Sequence, residues 1–129
     1  MTAHGLNHLI YARTPTQHGL MTKYLISFPG ETFHVAPEDM EAVSADSHAA
    51  IAEAKSAGVY VFGGGINEEV EPVLVDADGA IGLSATHLTG GFLVLELPTR
   101  DDALTWAARF AAACRTPQEL REFGFDPES

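Results

Sequence analysis

Two runs decide the fold: Lys23-Tyr-Leu-Ile-Ser-Phe28 and Gly90-Gly-Phe-Leu-Val-Leu-Glu-Leu97. Each is a short, nearly continuous apolar run bounded by breakers, the pattern of a strand with apolar side chains on both faces. Gly58-Val-Tyr-Val-Phe-Gly-Gly-Gly65 is a third run of the same kind. Helical spacing fills the gaps between them. A helix is expected from Pro37 to Ala57, with Pro at the first turn and Glu38, Asp39 and Glu41 near the positive end of its dipole. Gly58 is placed to end it in a positive-φ conformation. Met40, Val43, Ala50, Ile51 and Ala54 fall on one stripe. A second helix is expected from Asp101 to about Cys114. Thr99-Arg-Asp-Asp102 resembles a capping box, and Leu104, Ala107, Ala108, Ala111 and Cys114 are read as the buried stripe.

The order is therefore strand, helix, strand, hairpin, strand, helix, strand. That is an α+β fold, the ferredoxin-like βαββαβ sandwich of one sheet and two helices. Pro72 to Ile81, with the turn pair Asp78-Gly79, reads as a hairpin inserted between the second and third core strands. The closing segment is ambiguous. Thr116-Pro117-Gln118-Glu119 looks like a helix start, but the sandwich needs a fourth strand, so Gln118–Phe123 is expected to be one. Two helices cover only one face of the sheet. Phe92 and Val94 point one way, and Leu93, Leu95 and Leu97 the other. The uncovered apolar face predicts a homodimer built by sheet-face packing.

At 129 residues the chain is one domain with one modest core. Eighteen acidic against seven basic residues give a formal net charge of -11. No basic footprint exists for nucleic acid or for an anionic membrane surface. No stretch is long and apolar enough to span a bilayer, no signal peptide is evident, and the single Cys114 fits a reducing compartment. The expected location is the cytoplasm. Residues 1–20 differ from the rest: they hold three of the six histidines, His4, His8 and His18, and one formally charged residue, Arg13. They are read as an N-terminal extension, with 21–129 as the domain and Met21 as an alternative start.

Residues 21–125 resemble the YciI-like (YCII-related, or DGPF-domain) family of small bacterial proteins. The resemblance rests on Lys23-Tyr-Leu-Ile26, His48, Ala57-Gly-Val59, Gly63-Gly64, Gly90-Gly-Phe92, Asp102-Ala103, Trp106-Ala-Ala108 and Glu119-Leu-Arg121 in that order. The Asp-Gly-Pro-Phe segment that names one branch is absent, and Glu122 stands where the closing motif has Pro. The resemblance implies a dimeric α+β barrel. It implies enzymatic activity for a few relatives and a regulatory association for others, and it makes His48 the counterpart of the family's helix histidine.

His48 is the candidate catalyst, because histidine titrates near neutral pH and His48 falls at the edge of the first helical stripe. The alternative is a histidine bonded locally at the helix rim. His87, in the Ser84–Gly91 loop, and Arg121 with Glu119, two apart on the last strand, are candidate ligand-binding residues. The alternative for the last two is a plain ion pair. No metal is expected, since His34, His48 and His87 form no HxH or HxxxH pair, and no cofactor motif is present. Two functions stand side by side. One is a dimeric protein that binds a small organic molecule in a helix/sheet pocket, with elimination or isomerisation by His48. The other is a noncatalytic ligand-binding or regulatory module.

Overall fold

A computed structural model describes residues 21–84 and 86–129. The extension expected at residues 1–20 lies outside them. The order is β1 (Thr22–Phe28), 3-10 turns at Gly30–Thr32 and Pro37–Asp39, α1 (Met40–Ser56) and β2 (Tyr60–Gly65). Then come β3 (Val73–Val75), β4 (Ile81–Leu83), β5 (Gly91–Leu97), α2 (Arg100–Cys114) and β6 (Glu119–Glu122). Four strands form one antiparallel sheet in the order β2-β5-β1-β6, and β3 pairs with β4 alone. The molecule is α+β with two helices, a layout compatible with the ferredoxin-like sandwich.

Local signals act where the residues place them. Gly58 ends α1 with φ 76°. The Thr99 hydroxyl accepts from the Asp102 amide at 3.1 Å and caps α2. Proline supplies the first residue of a 3-10 turn at Pro37, and α1 itself begins at Met40. The Asp78-Gly79 turn closes β3 on β4, with Gly79 at φ 89° and the Asp78 carboxylate accepting from the Ala80 amide at 2.9 Å. The closing segment is a strand: Glu119 to Glu122 pair with Ser27 to Tyr24. The helix-start signal at Thr116 loses because β1 offers an unpaired edge, and a paired strand satisfies its backbone there.

The core lies between the helices and one face of the sheet. Tyr24, Ile26, Leu93, Leu95 and Leu97 meet Ala50 and Ala54 of α1 and Ala103, Ala107, Phe110 and Ala113 of α2. The first stripe is correct at Val43, Ala50 and Ala54, whereas Met40 is exposed. The second requires correction. Leu104 and Ala108 face outward, and the buried arc is Ala103, Ala107, Phe110 and Ala113. Arg115 ends α2 in the left-handed region at φ 59°; its guanidinium donates to the Ala113 carbonyl at 2.7 Å and to Asp46 at 2.9 Å.

Candidate functional site

Among the described residues, one cleft opens on the helix side of the sheet and two on its open face. The first opens between α1 and the β2–β5 end and has a volume of about 310 Å³. Its walls are apolar: Phe28, Phe33, Met40, Ile51, Leu93 and Phe110. Phe28 and Phe33 stack with centroids 5.6 Å apart. The Gly63–Gly65 run and Gly91 line the floor, where missing side chains leave the space open. The polar groups are few: Ser44, Ser47, Cys114 and Gln118. The Ser47 hydroxyl and the Cys114 thiol lie 3.4 Å apart. The buried Thr116 hydroxyl donates to the Thr32 carbonyl at 3.0 Å, and the Gln118 amide donates to the Thr116 carbonyl at 3.1 Å. These bonds hold the loop after β1 against the start of β6, at the mouth of the cleft.

His48 stands on α1 near this cleft but does not line it. It is exposed, and its Nδ1 lies 3.4 Å from the hydroxyl of Ser44, one turn earlier. Asp46 faces away from it and binds Arg115. His48 is thus one side chain removed from the cleft, with no carboxylate bonded to it among the described residues.

The second cleft lies on the open face of the sheet and has a volume of about 320 Å³. It brings together three residues that the sequence singles out separately: His87, Glu119 and Arg121. The pairing of Glu119 with Ser27 and Arg121 with Leu25 puts both on this face. Arg121 donates to Glu119 at 2.9 Å, an exposed pair along one strand edge. Opposite them, the Thr89 hydroxyl donates to Glu31 at 2.9 Å and accepts from the Gly30 amide at 2.9 Å. Glu31 is held below the ordinary carboxylate range by a bond from its own backbone N–H, then by Thr89, then by the nearby His87. His34 is exposed and lines none of these clefts. Among the described residues, no three of His, Cys, Asp and Glu are grouped to hold a metal ion.

The residues that sequence reasoning misses are Phe33, Ser47 and Gln118. Each comes to the first cleft from a different element, so no local spacing signals their meeting. No protein-family model and no curated protein matches the chain. No described helix is long and apolar enough to cross a membrane.

Proposed function

We propose that the protein binds a small, largely apolar organic molecule in the cleft between α1 and the sheet, as a binding module with no reaction carried by His48. The observation that carries this reading is the cleft itself. A concavity of about 310 Å³ walled by aromatic and aliphatic side chains, with a few hydroxyl and amide groups, has the size and make-up of a small-molecule site. A general base must come within hydrogen-bond reach of the proton it removes. His48 lies outside the lining, so the binding reading is preferred to the catalytic one. The ordered resemblance to YciI-like proteins is in keeping with this size and layout, and we propose distant kinship with them.

The test uses indole as the probe and isothermal titration as the measurement. Ser47→Phe places a ring in the cleft and is expected to weaken indole binding at least about tenfold, a change of about 1.4 kcal/mol. His48→Ala is expected to leave it unchanged. Indole binding that survives Ser47→Phe would place the ligand elsewhere. A substrate whose turnover falls about 10²-fold in His48→Gln would restore the catalytic reading.

The open face supports a second proposal, a homodimer by sheet-face packing. Leu25, Phe92 and Val94 are half-buried there, and Phe62, paired with Val94, is 63% exposed. These apolar side chains, flanked on the same face by the Lys23–Glu96 and Arg121–Glu119 pairs, mark an interaction surface. Val94→Asp should convert a dimer to a monomer in equilibrium sedimentation, and a wild-type monomer at micromolar concentration would reject the dimer. The soluble, acidic character of the surface and the reducing compartment expected for Cys114 make the cytoplasm the proposed location.

A further inference from the structure

Among the described residues nothing covers the β3–β4 hairpin. All six residues of its strands are exposed. The register sets Val73 opposite Leu83 and Val75 opposite Ile81, so these four share one face. Their exposures run from 55% for Val73 to 80% for Leu83. The other face carries Leu74 opposite Gly82. A two-stranded hairpin alone in water is marginally stable at best, and a ribbon with one apolar face needs something to lie against.

We infer that this hairpin packs on a second copy of the chain, as an arm reaching over the partner's open sheet face. The inference extends the proposed sheet-face dimer. Three observations favour this occupant. The first is area. Strands of seven, seven, six and four residues at about 3.4 Å per residue, each about 4.8 Å across, give the open face roughly 390 Å² in plan. A stable interface takes about 800 Å² from each partner, so the flat face alone is short and an arm makes up the difference.

The second is continuity. The arm leaves β2, which carries Phe62 on the open face, and its link is anchored where the Ile66 amide donates to the Gly90 carbonyl at 2.9 Å. The two uncovered apolar surfaces of one chain are therefore adjacent, and a twofold pairing covers both in each protomer.

The third is charge. Residues 66–88 hold Glu68, Glu69, Glu71, Asp76 and Asp78 and no Lys or Arg. Nucleic acid and anionic membranes are poor occupants for such an arm. Lys23 and Arg121 stand on the open sheet face, but each is paired there with a carboxylate, Glu96 at 3.2 Å and Glu119 at 2.9 Å, so charge excludes anionic occupants and leaves the apolar side chains to seat the arm.

The test is equilibrium sedimentation of the full chain, with photo-crosslinking from a benzophenone amino acid at position 81. Because both positions are exposed, Ile81→Asp with Leu83→Asp should keep the far-ultraviolet circular dichroism of the wild type. The pair is expected to raise the dimer dissociation constant at least about tenfold, a typical effect for core interface residues. Crosslinks are expected to join two chains at peptides of β1 or β5. An unchanged dissociation constant in that variant, with Phe62→Asp dissociating the dimer, overturns the arm and leaves the sheet-face dimer standing. Dissociation by the hairpin pair but not by Phe62→Asp or Val94→Asp rejects the sheet face as the arm's seat. A wild-type monomer rejects both. Crosslinks confined to one chain, to residues 1–20, show that the chain's own extension covers the hairpin and overturn the inference.

Discussion

Gly90 is the residue whose identity the fold tests hardest. Its φ is 91°, and a Cβ there would lie 1.9 Å from the Phe28 carbonyl oxygen. Both the backbone conformation and the space exclude a side chain. Gly90→Ala is expected to destabilise the protein by about 2 kcal/mol or more in urea unfolding. Gly79 separates the two causes. It has a similar φ of 89° with nothing near its absent Cβ, so Gly79→Ala should show only the left-handed penalty, about 1 kcal/mol. Equal losses at the two sites would mean that the contact with Phe28 relaxes freely. The turn role of Gly79 is legible from Asp78-Gly79. The role of Gly90 is not, because the carbonyl it must avoid lies on a strand sixty residues away in the chain.

Between elements, α1 and α2 are clamped at their outer edges by Glu53 and Arg109. The guanidinium donates from Nε at 3.0 Å and from Nη2 at 2.9 Å, one bond to each carboxylate oxygen. The bonds from Arg109 hold Glu53 below its ordinary value of 4.5. A carboxyl depressed in the folded state contributes stability that is whole above that ordinary value and is lost as pH falls through the lower folded value. Glu53→Gln should therefore be less stable than wild type at pH 7, and the two should converge as pH falls through the lowered folded value. A gap that persists in acid would assign the effect to packing of the side-chain stem.

The alanine content of α2 leaves its buried stripe poorly marked in the sequence. Ala103, Ala107, Ala108, Ala111 and Ala113 are identical in hydropathy and lie on both faces of the helix, so alanine spacing alone does not fix its rotation. Leu104 pulls the reading one way, while Trp106 and Phe110, with rings 6.3 Å apart, settle it the other way by volume. The stripe of α1 was easier to read because Val43 and Ile51 stand among polar residues.

For the whole molecule, the described residues 21–84 and 86–129 hold the sheet and both helices. Deleting residues 1–20 is expected to leave the melting temperature within about 4 °C of the full chain, the shift that about 1 kcal/mol produces in a domain of this size. A larger fall would mean that the extension packs on the body. The acidic surface, with a net charge of -11, should also weaken association at low salt, because like charges on two copies are screened only as ionic strength rises. The dimer dissociation constant is therefore expected to fall between about 0.05 M and 0.5 M salt. A constant that rises instead would point to ion pairs such as arm to Lys23 as the main attraction.

The sequence by itself determined the elements and their order as far as α2, whereas the closing strand β6 was decided by the open edge of β1. Strand runs, helix stops and turn residues depend on neighbours a few positions away, and those are printed side by side. It also marked His87, Glu119 and Arg121 as worth watching, without showing that they share a cleft. Only the tertiary structure decided that meeting, since it depends on β6 pairing with β1 and on the loop before β5 folding over the same face. Only the structure left His48 outside the apolar cleft that Ser44 and Ser47 line. Rim and interior differ there by one side chain on the same helix, a distinction set by where the sheet and the Phe33 loop come to rest and not by helical spacing.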